Sequence, residues 1–387
     1  MRAEPRSFRL HVEDRVLEDL RERLARTRWP DEPPGGAPWQ YGTDLGYLRE
    51  LATYWRDTFD WRAQEQRLNG WPQYTATVGA IDVHFVHAPG VGPRPLPLLL
   101  SHGWPGSVWE FHKLIPLLSD PERFGGDSAD AFSVVAPSLP GYTLSFRPGQ
   151  PRLAAPAIAD TFAELMVDVL GYPRFGAQGG DWGAFISAAL GLNHADHVVG
   201  IHLNLLPLRR DEAGLLAGDD PESVAYRAEL EHWLREETGY STIQGTRPQT
   251  LAYALTDSPV GLAAWIVEKF RVWSDCGGQL ETRFSKDELL TNVMLYWVSG
   301  AIGSSFWPYY ARQHEGWLLP GPRSVEVPTG YSSFPRDILH PPRALAERAF
   351  SNIQRWTVHS SGGHFAALEE PEALARDIRD FFRPLRG

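Results

Sequence analysis

The chain has 387 residues, a formal net charge of -11 and 43% hydrophobic residues, which suits one large α/β domain with an insertion, or two domains, around a sizeable core. Its acidic balance, with no basic cluster against it, argues against a nucleic-acid partner and a polyanionic substrate. The single cysteine, Cys276, excludes an internal disulfide and multi-cysteine metal sites and reads as a packing residue.

The first ten residues hold no apolar core of signal-peptide length, and no run of about 18 apolar residues follows, so a soluble, cytoplasmic protein without a membrane anchor is expected. A helix is predicted from Val12 to Thr27, with Val16, Leu20 and Leu24 on one face, stopping at Trp29-Pro30. A Pro/Gly-rich loop (Pro33 to Pro38) leads to a second helix over Asp44–Thr58, and this region is expected to wrap the sheet that follows. Strands are predicted at Tyr74–Val78, Ile81–His87, Leu96–Leu100, Phe132–Pro137, Arg174–Gln178 and Val198–Leu206, with a helix at Ile158–Leu170. Alternating β and α runs imply a mostly parallel sheet.

The alternation breaks between about Arg209 and Leu319, a polar, helix-rich stretch crowded with aromatics, which reads as an insertion. Within it Ser285 and Glu288 form a capping-box signature opening a helix that carries Leu289, Leu290, Val293, Met294 and Trp297. Strand character returns at Val325–Tyr331 and Gln354–His359, and an amphipathic helix over Pro371–Leu385 closes the chain. The expected organisation is therefore an N-terminal wrapping region (1–73), a core in two parts (74–208 and 320–387) and a helical cap between them (209–319).

Gly179-Gly180-Asp181-Trp182-Gly183 lies between a strand and a helix-forming run and has the frame of a nucleophile elbow, with aspartate where an esterase carries serine. An aspartate held there can displace a leaving group from carbon, giving an ester on its own carboxylate that water must hydrolyse. Epoxides and alkyl halides are the matching electrophiles. The plain alternative is that Asp181 caps a helix. His102-Gly103-Trp104-Pro105 ends the Leu96 strand, which assigns the backbone N–H groups of Trp104 and Trp182 to an oxyanion hole, with the His102 side chain structural. His364 follows the last predicted strand, where the base belongs, whereas His359 inside that strand reads as structural. Asp337 fits the orienting acid ahead of Glu326 and Glu347.

These motifs, with Phe8 to Val12, Arg21 to Pro30, Pro328 to Tyr331 and Gly362 to Ala367, resemble the microsomal-type epoxide hydrolase family over nearly the whole chain. The resemblance implies an α/β-hydrolase fold with a mostly parallel central sheet, a helical cap insertion and an N-terminal wrapping segment. It implies a triad of Asp181, Asp337 and His364, and two cap tyrosines, Tyr240 and Tyr310, that protonate the epoxide oxygen, with Tyr309 a competitor beside Tyr310. Relatives of this type in secondary-metabolite pathways, enediyne antibiotic biosynthesis among them, hydrate aryl epoxides to diols, and the resemblance extends that role to this chain. The partners expected are a small-molecule epoxide and water. The sequence leaves the assembly open, a homodimer included.

Thirteen histidines occur, but there is no H-E-x-x-H pattern and His84 and His87 sit in a strand-like run, so neither a metal nor a cofactor is expected. The 15 tryptophans suit a deep apolar substrate pocket. Two rival functions share these features: a haloalkane dehalogenase, using the same aspartyl ester, and a non-catalytic ligand-binding protein on a hydrolase scaffold. The tyrosine pair disfavours the first, because a departing halide needs N–H donors whereas an epoxide oxygen needs protons. The intact triad disfavours the second.

Overall fold

The computed structural model describes residues 4–208, 218–316, 319 and 323–387. Its strands are β1 (Arg6–Ser7), β2 (Gln73–Val78), β3 (Ile81–Ala88), β4 (Leu96–Ser101), β5 (Phe132–Pro137), β6 (Phe175–Gly179), β7 (Val198–Leu203), β8 (Thr329–Ser333) and β9 (Ile353–Val358). They form one sheet in the order β1-β2-β3-β5-β4-β6-β7-β8-β9. The β1/β2, β2/β3 and β3/β5 pairs are antiparallel, and every pair from β5 to β9 is parallel. The apolar runs predicted as strands are those buried on both faces: every residue of β6 and β7 is buried, as parallel strands covered by helices require.

The position of the site follows from this order. The chain leaves β4 to build β5 on one side and then crosses to build β6 on the other. The carboxyl ends of β4 and β6 therefore border a crevice at a topological switch point, where open α/β sheets bind ligands.

Helix boundaries differ from the sequence reading by a few residues. The first two helices span Asp14–Ala25 and Leu45–Asp57. A third, Trp61–Leu68, was not anticipated: it is short and polar, begins where Asp60 accepts from the Ala63 amide (3.1 Å), and buries Trp61 and Leu68. The helix from Ala155 ends at Glu164 and continues as a π-turn, Leu165–Val169. The Ser285/Glu288 capping box forms on the helix Lys286–Ser299.

The N-terminal segment grips the insertion as well as the sheet. Arg23 donates to Asp257 (2.8 Å), Thr43 to the Ala264 carbonyl (2.8 Å) and Tyr54 to Asp287 (2.8 Å). Only β1 joins the sheet, at its edge. Between β7 and β8 the described residues are largely helical, with helices at Pro221–Glu236, Gly239–Thr246, Pro248–Asp257, Pro259–Val272, Lys286–Ser299, Ile302–Ser305 and Trp307–Glu315. The expected start of the insertion at Arg209 lies outside the described residues. Among those residues, no single helix is long and apolar enough to cross a membrane.

One link ties the insertion to the core beside Asp337. On the loop after β8, the His340 ring donates from Nδ1 to Glu229 Oε1 (2.6 Å) and from Nε2 to the Phe334 carbonyl (2.7 Å), while its amide donates to Glu229 Oε2 (2.8 Å). Two acceptors on one ring require an imidazolium. Burial opposes that charge, but Glu229 outweighs it and lifts His340 from 6.5 to about 9. A raised folded-state value means the contribution is complete below pH 6.5 and lost as pH climbs through about 9. The thermal midpoint of the wild type is expected to fall over this window more steeply than that of a His340→Gln variant. Parallel pH dependences in the two proteins would remove the pair from the stability of the cap contact.

Candidate active site

Asp181 sits between β6 and the helix Trp182–Asn193 with φ +47° and ψ -128°. A non-glycine residue reaches that region only under strain, and such strain is concentrated at functional sites. The turn is tight enough that a Cβ at Gly183 would lie 1.8 Å from the Ser101 carbonyl oxygen, so β4 and the elbow touch through glycine alone. The Asp181 side chain makes no capping bond to its own helix. Its Oδ1 instead accepts from the Trp104 amide at 2.8 Å, and the Trp182 amide also donates to the carboxylate. Both amides assigned from the sequence thus converge on the elbow aspartate.

His364 stands with Nε2 3.4 Å from Asp181 Oδ2, and its Nδ1 donates to Asp337 Oδ1 at 2.6 Å. Two loops are stitched together to arrange this, since Arg336 N donates to Gly362 O (3.1 Å) and His364 N to Trp273 O (2.8 Å). Glu326 is exposed and Glu347 pairs with Arg343 on the surface, so neither rival acid approaches His364. Burial opposes a charged imidazole, but Asp337 and Asp181 on its two sides raise His364 to about 10. Burial likewise pushes the Asp181 carboxyl up, yet His364 and the two amides hold it below the ordinary carboxylate range. The site therefore holds an anionic Asp181 against an imidazolium.

The loop after β4 is fixed from both sides. His102 is buried and, at about 4, neutral; its Nδ1 donates to Gly103 O (3.0 Å) and its Nε2 accepts from Leu139 N (3.2 Å). From the insertion, Asn292 donates to Pro105 O (2.8 Å) and Tyr296 to Gly106 O (2.7 Å). Movement of that helix would displace the Trp104 amide.

An aromatic enclosure faces the elbow. The Tyr240 ring stacks on Trp104 (5.2 Å, 10°), and Tyr309 packs edge-on against Trp104, Trp182 and Tyr240 at 5.9, 4.8 and 5.7 Å. Of the expected Tyr310 and its competitor Tyr309, the structure places Tyr309 in this enclosure. Successive residues on a helix point about 100° apart, and Tyr309 is the one turned inward, only 2% exposed. Tyr310 is half-buried and stacks on Trp307 and His314, away from the elbow. The Tyr309 hydroxyl is buried beside the Trp182 indole N–H and, among the described residues, donates to no acceptor. Burial raises its pKa well above the phenolic value, so it stays protonated. The Lys269 ammonium lies 4.8 Å over the Tyr240 ring and 5.5 Å over Trp273, a cation that the sequence reading missed.

Fold and elbow together define an α/β-hydrolase whose elbow residue is an aspartate. The sequence matches family models for the epoxide hydrolase N terminus over residues 5–111 and for the alpha/beta hydrolase fold over residues 97–219. A putative epoxide hydrolase of Stigmatella aurantiaca is 42% identical over 98% of this chain and 85% of its own length, and epoxide hydrolase 1 of Oryctolagus cuniculus is 38% identical over 97% and 88%. Among solved structures, the juvenile hormone epoxide hydrolase of the silkworm Bombyx mori superposes with a TM-score of 0.88 at 30% identity, covering 99% of this chain and 95% of that one. The Aspergillus niger epoxide hydrolase gives 0.86 at 30% identity over 98% and 96%. The chain belongs to the microsomal-type epoxide hydrolase family and is an epoxide hydrolase.

Proposed function

We propose that this chain hydrates an aryl or otherwise bulky apolar epoxide to a vicinal diol through an ester on Asp181, with His364, Asp337, Tyr240 and Tyr309 as its partners. One observation carries the reading: Asp181 is strained at the elbow, held through Oδ1 by a backbone amide, and overlooked by a protonated phenol that donates to no acceptor among the described residues. Asp181 Oδ2 attacks an epoxide carbon, the ring C–O bond breaks, and the freed oxygen takes a proton from the tyrosine pair. The surrounding Trp104, Trp182, Trp273 and Phe306 favour a large apolar substituent on the epoxide.

Esterification removes one of the two anions that raise His364, so the imidazolium gives up its proton to the tyrosinate left by ring opening and, now neutral, can act as base. Water then gives a proton to His364 and attacks the Asp181 acyl carbon. The negative charge appears on Oδ1, where the Trp104 and Trp182 amides already donate. The acyl C–O bond breaks, the departing alkoxide takes the proton from His364, and the water's second proton passes from the new Asp181 carboxylic acid to His364, which restores the carboxylate and the imidazolium.

The oxygen added to the diol is then Asp181's own. A single turnover with excess enzyme in ¹⁸O-labelled water should give unlabelled diol and place the label in the peptide containing Asp181. Label in the first-turnover diol would mean direct attack by water and would end the covalent reading. The same aspartyl chemistry on an alkyl halide is disfavoured by the family and by the two phenols in the aromatic enclosure, since a departing halide needs N–H donors.

A further inference from the structure

Glu110 is a carboxylate the mechanism above does not use. It lies in the short helical turn Val108–Phe111, immediately after the loop that presents the Trp104 amide. The loop lies between it and the elbow: a Cβ on Gly103 would lie 2.2 Å from Asp181 Oδ1, and one on Gly106 would lie 2.3 Å from Glu110 Oε2. Both carboxylates thus press on the same four-residue loop. Tyr296, which donates to the Gly106 carbonyl, feels the charges of both.

The Glu110 side chain is half-buried, and among the described residues its carboxyl makes no hydrogen bond or ion pair. Neither oxygen is sealed off from water. A second buried acid nearby differs: Glu369 accepts from the Asp275 amide (2.7 Å) and the Phe365 amide (3.0 Å). A carboxyl withdrawn from bulk water without a protein partner is unfavourable unless water or a ligand satisfies it. Burial raises Glu110 to about 8, with His364 pulling it down and Asp181 and Glu369 pushing it up. Those interactions put the carboxyl in the field of the triad and leave it mainly protonated at neutral pH.

Taking the aspartyl-ester reading as its basis, we propose that Glu110 is a positioning residue that holds the hydrolytic water against the Asp181 ester. One water proton goes to His364 as the oxygen bonds to the acyl carbon, and the other remains hydrogen-bonded to the Glu110 carboxyl oxygen. That second bond aims the water's lone pair at the acyl carbon. It has no function in ester formation, which uses no water.

The two half-reactions separate this role from a structural one. In single-turnover quench experiments with styrene oxide as the probe, Glu110→Ala should form the Asp181 ester at the wild-type rate. Its ester should hydrolyse about tenfold more slowly or worse, the equivalent of one lost hydrogen bond, and accumulate as an adduct visible by intact-protein mass. Glu110→Gln keeps an accepting oxygen at the same reach, so it should recover most of the hydrolysis rate and guards against loss through misfolding. An equal slowing of both half-reactions, or ester hydrolysis at the wild-type rate in Glu110→Ala, would overturn the proposal while leaving the ester intact as an intermediate. Absence of any ester in the wild type would overturn the aspartyl-ester reading and this proposal with it.

Discussion

Replacing His364 by glutamine is expected to trap the enzyme at the ester. Asp181 is already anionic in the folded protein, held below the usual carboxylate range by His364 and two amides, and it needs no base in order to attack. The water that follows does need one, and general-base assistance is worth about 10²- to 10⁴-fold. His364→Gln should therefore still be alkylated by an epoxide and then stall, showing a stoichiometric adduct on the Asp181 peptide and almost no steady-state diol. Asp337 should act through the same step, because its carboxylate holds Nδ1 at 2.6 Å and turns Nε2 toward Asp181. Normal turnover in His364→Gln, with no adduct, would remove the histidine from the reaction.

Loss of both inward phenols should act on the other half-reaction. Ring opening creates an alkoxide, and without a proton donor the transition state carries that charge in an apolar, aromatic enclosure. Tyr240→Phe and Tyr309→Phe should each slow ester formation, and the double variant should lose about 10²- to 10⁴-fold. Tyr310→Phe is the internal control and should alkylate at the wild-type rate, since its ring stacks on Trp307 and His314. A large defect in Tyr310→Phe with a silent Tyr309→Phe would reverse the assignment drawn from the side-chain geometry.

The choice between Tyr309 and Tyr310 marks the limit of what the chain could reveal alone. In Phe306-Trp307-Pro308-Tyr309-Tyr310, both candidate faces of the helix carry an aromatic pair, Phe306 with Tyr309 and Trp307 with Tyr310. Periodicity cannot choose between two equally apolar stripes. The choice is made by what packs across them, Trp104, Trp182 and Tyr240, and these come from three other segments. Glu110 and Lys269 escaped for a related reason. A single charged residue in a sequence reads as surface unless the fold places it beside buried partners.

The sequence by itself determined the fold class, the strand runs that build the parallel sheet, and the positions along the chain of Asp181, His364, Asp337, Trp104 and Trp182. It could do so because an elbow needs glycines at fixed spacing, because buried parallel strands need unbroken apolar runs, and because each of these residues belongs to the end of a strand. Tertiary structure alone decided that the N-terminal helices brace the insertion, that Tyr309 and not Tyr310 faces the elbow, and that Glu110 lies beside the triad. Those outcomes depend on contacts between segments up to hundreds of residues apart, such as Arg23 with Asp257. Local patterns of three or four residues carry no information about which distant surface a side chain will meet.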